Sequence, residues 1–536
     1  MTQADDTAAA SLMNRETMLA RATEGGRVWD LLVIGGGATG AGIAVDAAAR
    51  GYSVLLLEQN DFGKGTSSRS TKLIHGGVRY LQQGNISLVM EALKERGILR
   101  QNAPHLVRDL AFIVPNYDWW EAPFYGIGMK VYDLLAGRYG FGRSRILSRE
   151  ATLERIPNLK TEGLRGGVIY FDGQFDDARL LINLLETAAE RGAVLLNYAR
   201  VTALRKDSRS FVSGAVFTDV ETAKEHTVRA KGIINATGPF ADFVRRLDDP
   251  QAPPMLAPSQ GVHLVFDGAF LKGRSAIMVP HTRDGRVMFA IPWLDHTLVG
   301  TTDTPIPEPT LEPKPFQEEI DFIIETASEY LERKPSRTDI LSVFTGIRPL
   351  VKADGTVSTA ALSREHTIHI SSSGLLTITG GKWTTYRTMA REAVDHAATL
   401  ADLETRPCPT KDLRIHGYCA EPEALGEFQA YGADAPALEQ LCRSKPQWNE
   451  RLHPALPVRA GEVIWSVRHE MARTVDDFLA RRCRALFLNA RAAVEMAPRV
   501  AALMAAELGR NEQWQRDQVG EFERIARNYL PGHGSN

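Results

Sequence analysis

Cysteine is scarce in this 536-residue sequence, and the few cysteines present lie far apart. The four are Cys408, Cys419, Cys442 and Cys483, and no two of them form a C-x-x-C pair. This spacing is typical of neither a zinc knuckle, an iron–sulfur ligand set nor a disulfide framework. We therefore expect a reducing compartment and no metal site.

A strong net charge and a long apolar segment are also missing. The formal charge is -2, so the chain has no global field to attract nucleic acid, and we expect no nucleic-acid partner. The longest uncharged run, residues 31–45, contains five glycines and is shorter than the ~20 residues of a membrane-spanning helix. Asp5 and Asp6 stand where a signal peptide would carry cations. We expect neither a targeting segment nor a membrane span.

The sequence does contain a strand–helix–strand unit near its start. The stretch "WDLLVIGGGATGAGIAVDAAARGYSVLLLEQ" predicts a buried strand over residues 31–34, a helix to about Arg50 and a second strand over residues 53–58. Gly35, Gly37 and Gly40 form G-x-G-x-x-G between the first strand and the helix. That context predicts a dinucleotide-binding turn, the alternative being a glycine-rich packing turn.

An acidic residue and two later segments refine the dinucleotide prediction. Glu58 ends the second strand, where a carboxylate can accept hydrogen bonds from ribose hydroxyls. The glycine pattern alone does not distinguish NAD from FAD. The hydroxyl-rich "TSSRSTKLIHGG" (66–77) and the strand end "INATG" (234–238) favour FAD, because an extended flavin dinucleotide needs several distant segments around it. The cofactor-binding residues that we predict are Gly35, Gly37, Gly40, Glu58, Thr66, Ser67, Ser68, Ser70, Thr71, Lys72, Leu73, Val201, Ala236, Thr237, Gly238, Gly380, Gly381 and Thr384.

The rest of the chain shows two further patterns. Short strands with turn signals between residues 259 and 303 predict an antiparallel sheet inserted into the nucleotide-binding fold. Residues 411–536 are mostly amphipathic helical patterns, which predict a helical C-terminal domain. Paired helices of this kind suit self-association, so a homo-oligomer is an open alternative.

Ordered matches over residues 29–500 resemble one known family. The matching pieces are "DLLVIGGGATGAGIAVDAAARG", "TSSRSTKLIHGGVRYL", "FDDARL", "INATGP", "IPWLDHTLVGTTDTP", "TGIRPLV", "ITGGKWTTYR" and "VRHEMARTVDDFLARR". Together they resemble the FAD-dependent, quinone-linked glycerol-3-phosphate dehydrogenases of respiring cells. The resemblance implies oxidation of sn-glycerol 3-phosphate to dihydroxyacetone phosphate, with electrons passed to a membrane quinone.

The same resemblance implies an α/β fold with three parts. These are a Rossmann-like FAD-binding domain, an inserted antiparallel β-sheet substrate domain and an α-helical C-terminal domain. We place an N-terminal extension at residues 1–27 and the FAD-dependent oxidoreductase domain at residues 28–408. The substrate-binding sheet falls within the latter, at about residues 259–370, and the helical domain follows at residues 409–536.

A phosphate ester beside a flavin requires cations, since its dianion is costly to bury. We place four basic residues and one hydroxyl donor around it, and the family match supports the set. They are Arg348, Lys382, Arg79, Arg364 and Tyr80. For each cation the alternative is a surface charge or a structural ion pair.

Two further roles concern the reacting centre. In "LLTITGGKWTTYR" (375–387) we expect a strand ending at the flavin and a helix beginning at Lys382, with its positive end towards the flavin pyrimidine. Hydride transfer also requires removal of a hydroxyl proton, which suits a neutral histidine. His263 is our first choice, and His75 is the alternative, with flavin support as its other role.

Contact with a membrane is expected because quinone is dissolved in lipid. Residues 119–149 combine seven aromatic residues with five cations, a composition typical of a membrane-surface segment. The alternative is an internal cap whose aromatic residues pack in the core. We expect a cytoplasmic protein bound peripherally to the inner face of the cell membrane.

Two other functions compete with the dehydrogenase hypothesis. One keeps the fold but assigns a D-amino-acid-oxidase-like oxidation of another small anionic substrate. The other is a non-catalytic FAD-binding protein that tethers to a membrane. The cationic set in "GIRP" and "GGKWTTYR" favours a phosphorylated substrate over both.

Overall fold

The computed structural model describes residues 12–78, 81, 85–280, 282–283, 285–352 and 366–532. Three predicted site residues, Arg79, Tyr80 and Arg364, lie outside these residues. The described helices are α1 (Arg15–Ala22), α2 (Ala38–Ala49), α3 (Ile86–Asn102), α4 (Glu121–Ala136), α5 (Arg149–Arg155), α6 (Asp177–Glu190), α7 (Ala241–Asp248), α8 (Gln317–Tyr330), α9 (Tyr386–Leu400), α10 (Ala435–Ser444), α11 (Pro446–Asn449), α12 (Ala460–His469), α13 (Ala485–Leu488), α14 (Ala490–Leu508) and α15 (Glu512–Ala526). The described strands are β1 (Val28–Ile34), β2 (Val54–Leu57), β3 (Leu73–Ile74), β4 (Val107–Asn116), β5 (Arg145–Ser148), β6 (Gly166–Phe175), β7 (Val194–Leu196), β8 (Ala199–Lys206), β9 (Val212–Asp219), β10 (Lys224–Asn235), β11 (Ser259–Asp267), β12 (Ser275–Val279), β13 (Met288–Trp293), β14 (His296–Gly300), β15 (Thr304–Pro305), β16 (Ile340–Arg348), β17 (His366–Ile370), β18 (Leu376–Gly380), β19 (Arg451–His453) and β20 (Leu456–Arg459).

The first sheet has the predicted strand–helix–strand unit at its centre. Its main order is β17-β18-β10-β1-β2-β7, and β10 also pairs with β9, which pairs with β8. The strands β18, β10, β1, β2 and β7 run parallel to one another. Residues 31–34 are buried, as expected for a parallel strand covered on both faces. The helix α2 packs against α6 and α9 and buries one of these faces.

The second sheet is built from two distant stretches of chain. Its main order is β15-β11-β14-β13-β12-β4-β6-β3, with β16 beside β11 and β5 beside β6. The predicted antiparallel strands between residues 259 and 303 are present as β11–β14. However, the sheet also takes in β3–β6 from residues 73–175, and β17 belongs to the first sheet. The two stretches join where β12 pairs in parallel with β4.

The C-terminal helices share an apolar core with the second sheet. One buried cluster contains Phe112 and Phe344 from the sheet together with Phe487 and Val500 from the helices. Phe344 and Phe487 lie with their ring centroids 5.0 Å apart. Described residues of the C-terminal part, 409–532, therefore pack onto the rest of the chain through a shared apolar cluster.

Polar contacts strengthen the same junction. Asp61, in the loop after β2, is fully buried and bonded to Arg481 and Arg482 of a π-helical turn, Asp477–Arg482. Arg179 of α6 pairs with Glu470.

Among the described helices, none is long and apolar enough to cross a lipid bilayer.

Candidate active site and cofactor cavity

A large cavity lies where the ends of the two sheets meet. Its volume is about 1170 Å³, above the ~300–1,000 Å³ of common ligand pockets. Residues of both sheets line it, including Gly35 and Ala236 from the first and His263 and Arg348 from the second. It has room for a large cofactor and a small substrate together.

The first end of the cavity is formed by the glycine turn. Gly35 has a φ of +109°, and a Cβ there would lie 2.7 Å from the carbonyl oxygen of Ala236. A Cβ on Gly40 would lie 1.9 Å from the carbonyl oxygen of Gly35, so this glycine allows the helix to pack against the turn. Gly35 and Gly37 line the cavity, whereas Gly40 lies behind its wall. The backbone is thus exposed at the start of α2, as an anionic ligand would need.

Glu58 lies beside this turn, at the end of β2. One carboxylate oxygen accepts the N–H of Gly36 at 2.7 Å, and the other accepts the N–H of Asn60 at 2.9 Å. These bonds fix the carboxylate at the cavity wall, where it lines the space next to Gln59. The geometry suits the predicted role at a ribose.

The segment after β2 also lines the cavity and is held in place by hydrogen bonds from behind. Ser67 Oγ accepts the N–H of Ala38 at 2.9 Å, and its carbonyl oxygen accepts the indole N–H of Trp383 at 2.8 Å. Ser70 donates to Asp177 at 2.7 Å. Predicted residues of this segment in the wall are Thr66, Ser67, Ser70, Thr71 and Leu73. Farther along the chain, Val201, Ala236, Thr237 and Gly238 also line the cavity.

Ser68 and Lys72 are placed behind the wall rather than in it. Lys72 has a φ of +62° and a fully buried side chain, whose ammonium donates to Asp177 at 2.6 Å and to the carbonyl of Ser68 at 2.8 Å. Arg484 of the C-terminal part donates to the same two residues. Lys72 therefore supports the segment from beneath.

The polar segment after β18 also lines the cavity. Gly380 and Gly381 have φ values of +81° and +70°, and both line the cavity with Lys382 and Thr384. A Cβ on Gly381 would lie 2.4 Å from the sulfur of Met389. The backbone packs closely against Met389 here, which explains why residue 381 is a glycine.

The prediction that a helix begins at Lys382 is wrong by one turn. Lys382 is extended, with φ -144° and ψ 157°, and a 3₁₀ turn, Trp383–Thr385, precedes α9, which begins at Tyr386. The two β-branched threonines at 384 and 385 are weak helix formers, which is consistent with the delayed start. The helix N-terminus still faces the cavity, since Tyr386 lines it.

His263 lies on β11, opposite Gly300 of β14 and Phe344 of β16. Its ring stacks on Phe344 with centroids 4.8 Å apart, and Nε2 is 2.9 Å from Thr71 Oγ1. Nδ1 has no hydrogen-bond partner among the described residues. Burial, with nearby Lys72 and Arg348, lowers the pKa of His263 well below its ordinary value. The imidazole is therefore neutral near pH 7 and able to accept a proton.

The alternative base, His75, lines the same cavity but is held differently. Its backbone N–H donates to Thr384 Oγ1 at 3.3 Å, and its carbonyl accepts from the same hydroxyl at 3.5 Å. His75 thus lies beside the segment after β18. The assignment between the two histidines stays a prediction.

Arg348 ends β16 and lines the same cavity as His263 and Lys382. Its guanidinium donates to Asp303 at 3.1 Å and to the carbonyls of Thr302 and Gln260 at 2.9 and 3.3 Å. These bonds hold the group in one orientation. The structure thus brings three predicted substrate residues, separated by 119 positions in the sequence, to one cavity.

Comparison with known proteins shows the family. The family model for FAD-dependent oxidoreductases matches residues 30–387, and that for the C-terminal domain of alpha-glycerophosphate oxidase matches residues 376–516. The human mitochondrial glycerol-3-phosphate dehydrogenase is 41% identical over 525 residues, which cover 92% of this chain and 72% of the relative. The chain belongs to the FAD-dependent glycerol-3-phosphate dehydrogenases.

Two other relatives of this dehydrogenase agree with that result. The probable mitochondrial glycerol-3-phosphate dehydrogenase of Caenorhabditis elegans is 41% identical over 96% of this chain and 75% of the relative. The solved structure of glycerol-3-phosphate dehydrogenase from Bacillus halodurans complexed with FAD has a TM-score of 0.79 and 32% identity, covering 97% of this chain and 98% of that one. Glycine oxidase from Geobacillus kaustophilus, 20% identical with a TM-score of 0.52, shares the fold alone.

As a member of this family, the dehydrogenase uses FAD, and the cavity fits that cofactor. The glycine turn leaves space for a pyrophosphate at the start of α2, and Glu58 is positioned for a ribose. Gly380 and Gly381 leave backbone exposed to the cavity, which would allow a flavin ring to approach closely. The fold and cofactor predictions are confirmed, and the individual residue roles stay predictions.

Sequence reasoning missed the residues that support this site from behind. Asp177 accepts from Ser70, Lys72 and Arg484, and Asp303 anchors Arg348. Both aspartates lie inside motifs that carry the resemblance, "FDDARL" and "GTTDTP". A signal for their importance was present, but their partners are about 45 to 310 positions away in the sequence.

Proposed function

We propose that this protein oxidises sn-glycerol 3-phosphate to dihydroxyacetone phosphate at FAD and passes the electrons to a membrane quinone. The observation that supports it best is the meeting of Arg348, Lys382 and His263 in the cavity that also contains the glycine turn. When bound, FAD supplies the hydride acceptor. The residues of the chain bind and orient the substrate and accept its proton.

The cations account for selection of a phosphate. Asp303 already neutralises much of the charge on Arg348, so this pair alone has little excess charge for a dianion. Lys382 adds a second positive charge in the same wall. Arginine contributes a planar fork of donors and lysine a point charge, which together suit a tetrahedral phosphate. We assign the phosphate to Arg348 and Lys382, with Arg79, Tyr80 and Arg364 proposed from the family resemblance alone.

We assign His263 as the base that accepts the proton of the substrate 2-hydroxyl. Oxidation at the substrate C2 releases a hydride and the proton of the 2-hydroxyl, and a neutral imidazole can take the latter. The lowered pKa keeps His263 neutral through the physiological range. Phe344 and Thr71 hold the ring in place, so the base is oriented before the substrate arrives.

Anaerobic reduction of the purified yellow protein tests this function. We expect one equivalent of sn-glycerol 3-phosphate to bleach the flavin absorbance, and a soluble quinone to restore it. Glycerol and the enantiomeric phosphate serve as controls and should leave the colour unchanged. Bleaching by an amino acid instead would favour the oxidase alternative, and colour that persists with every substrate would favour the tethering protein.

The proposed route to quinone runs through α4. One side of this helix faces the cavity wall, where the hydroxyl of Tyr132 accepts the N–H of Gly76 at 2.8 Å and donates to Asp172 at 2.8 Å. Tyr125 and Met129 are buried on the same side. The helix therefore links the flavin site to the surface of the protein.

The other side of α4 is apolar and exposed. Leu134 is 80% exposed and Ile127 68%, and both line a shallow groove with Lys130 and Arg145. Trp119, just before the helix, is 76% exposed. Exposed aromatic and aliphatic side chains beside cations are suited to the interface of an anionic bilayer. The internal-cap alternative for residues 119–149 holds in part, since Tyr125 and Tyr132 pack inside, and the exposed side chains support the membrane-surface proposal. We propose that this face binds the inner surface of the cell membrane.

Charged substitutions on this face should weaken membrane binding. Burial of each large apolar side chain contributes ~1.5 kcal/mol or more, so the double variant Ile127→Asp, Leu134→Asp should bind anionic vesicles ~100-fold more weakly. Vesicle sedimentation measures this, and Phe211→Asp, at an exposed phenylalanine elsewhere, is the control. Turnover with a soluble dye acceptor should be unchanged while turnover with vesicle-embedded quinone falls. Equal vesicle binding by the two variants would contradict the assignment.

A further inference from the structure

A histidine and three carboxylates meet where α6 contacts the C-terminal part of the chain. His416 Nδ1 lies 2.6 Å from an oxygen of Glu190, while Nε2 lies 2.7 Å from Asp434 and 3.7 Å from Glu186. Glu186 and Glu190 are one turn apart on α6, whereas His416 and Asp434 come from the C-terminal part. The cluster bridges two parts of the fold and is separate from the flavin cavity.

The backbone of His416 is fixed by α6. Its N–H donates to Thr187 Oγ1 at 2.8 Å, and its carbonyl oxygen accepts from the side chain of Asn183 at 2.8 Å. The same Asn183 amide lies 3.1 Å from His105 Nε2. These contacts place the imidazole between the carboxylates without relying on the carboxylates themselves.

The two ring nitrogens of His416 have unequal surroundings. Glu190 orients Nδ1, while two carboxylates, Glu186 and Asp434, approach Nε2. A single N–H on Nε2 can serve only one of them, and Asp434 is the nearer. Glu186 is only 8% exposed and forms no hydrogen bond with any residue that the structure describes. Glu186 thus shares His416 with Asp434 at the longer distance of 3.7 Å, so its charge is only partly balanced and a further cation would stabilise it.

Besides His416, Arg179 is a nearby cation in the described residues, and its charge attracts Glu186 without forming a hydrogen bond to it. Arg179, on the same helix, is committed to Glu470 and to the carbonyl of Arg482. His105 already contacts Asn183. Three carboxylates therefore surround one imidazole, and one more positive charge would improve the balance of charge in the cluster.

We propose that Glu186, His416 and Asp434 bind one divalent transition-metal ion, most suitably Zn²⁺, with Glu190 orienting the histidine. Their ligand atoms all lie within 4.8 Å of one another. One imidazole nitrogen and two carboxylate oxygens are ligands that Zn²⁺ accepts, and a carboxylate on the other ring nitrogen is the usual support of a metal-bound histidine. Binding would release the Nε2 proton to solvent and replace the hydrogen bond to Asp434 with three protein–metal bonds, from His416, Asp434 and Glu186, with water as a fourth ligand. The ion would join α6 to the C-terminal part of the chain, with no part in the redox chemistry.

Metal binding by the FAD-loaded, full-length protein tests this site. After dialysis against a chelator, Zn²⁺ is added and bound metal is measured by calorimetry and by elemental analysis of the desalted protein. We expect one tightly bound Zn²⁺ per chain and a higher unfolding temperature. His416→Gln and Glu186→Gln should each remove this binding, and Glu190→Gln should weaken it ~10–100-fold, as expected for loss of the orienting group.

His453→Gln is the matched control, because His453 pairs with one exposed carboxylate, Glu495, at 2.9 Å. It should bind Zn²⁺ as the unchanged protein does. If His416→Gln fails to fold, the milder Glu186→Gln carries the test. Two results would overturn the proposal: Zn²⁺ binding that is no weaker in Glu186→Gln than in His453→Gln, or stability that depends on pH at His416 but not on any metal. The second would make the cluster a protonated-histidine bridge only.

Discussion

Replacing Arg348 with methionine is expected to lower kcat/KM for sn-glycerol 3-phosphate by roughly 10²–10³-fold while FAD stays bound. The expectation rests on the proposed phosphate role. Loss of charge-assisted hydrogen bonds in a partly buried site costs ~3–4 kcal/mol, and ~1.4 kcal/mol corresponds to a factor of ten. Stopped-flow flavin reduction with varied substrate measures the effect on substrate binding and on hydride transfer separately.

The position of Arg348 explains why FAD should be retained. Its guanidinium bonds to Asp303, to Thr301 Oγ1 and to the carbonyls of Gln260 and Thr302, which lie on or next to strands of the second sheet. The glycine turn and Glu58 belong to the first sheet and keep their own bonds. Flavin content per chain, measured from released FAD, should therefore match that of the unchanged protein.

Two companion variants separate charge from geometry. Arg348→Lys keeps the charge but loses the planar fork, so its loss should be intermediate, about 10-fold to 100-fold. Arg337→Met is the control, because Arg337 also pairs with an aspartate, Asp321, but on the exposed surface. It should leave kcat/KM unchanged. Normal kinetics in Arg348→Met, or loss of FAD in parallel with activity, would contradict the phosphate role.

Local signals in the sequence predicted the nucleotide-binding half of the site well. The predicted strand at residues 31–34 and helix to about Arg50 correspond to β1 and α2, because a buried apolar run and a glycine turn are properties of neighbouring residues. The predicted strands between residues 259 and 303 are present for the same reason. Glycines 380 and 381 are likewise explained by positive φ and close packing at their own positions.

Those local signals could not predict which distant strands pair with one another. The parallel contact of β12 with β4 joins residues more than 160 positions apart, and no periodicity within either strand identifies the partner. Lys72 shows the same limit for a single residue. Its place in a hydroxyl-rich segment predicted a cofactor contact, whereas its side chain bonds to Asp177 and to the carbonyl of Ser68 behind the cavity wall. The partner of a buried charge is decided by tertiary packing.

The motif "VRHEMARTVDDFLARR" shows that a motif can indicate the family while the roles of its residues stay unpredicted. It supported the family resemblance, but no role followed from its residues. In the structure its charged side chains form buried ion pairs with the FAD-binding part, notably Arg481 and Arg482 with Asp61 and Asp476 with Lys64. The motif therefore holds the C-terminal part against the loop that precedes the cofactor segment.

Replacing Asp61 with asparagine should destabilise the protein strongly. Asp61 is fully buried and accepts from Arg481 at 2.5 Å and from Arg482 at 2.8 and 2.9 Å. Burial opposes its charge, but Arg482 and Arg481 bring the pKa of Asp61 below its ordinary value. Breaking a buried pair from one side leaves uncompensated charge and costs ~3–5 kcal/mol. Urea unfolding, followed by flavin fluorescence and circular dichroism, measures the loss.

An exposed pair provides the control for this prediction. Glu521 and Arg524 lie 2.5 Å apart on α15, with both side chains more than half exposed. Glu521→Gln should change the free energy of unfolding by less than ~1 kcal/mol, because water screens such pairs. If Asp61→Asn and Glu521→Gln lose similar amounts of unfolding free energy, the buried ion pairs stabilise the protein no more than an exposed pair does.

A double variant distinguishes unpaired charge from lost packing. In Asp61→Asn, two guanidinium groups lose their shared carboxylate, although Arg481 keeps Asp476 and Asp477. Adding Arg482→Met removes the guanidinium that depends most on Asp61, so the double variant should be more stable than Asp61→Asn alone. If the second substitution instead adds its own full loss, the two residues act independently. The junction would then depend on its shared apolar core rather than on this ion pair.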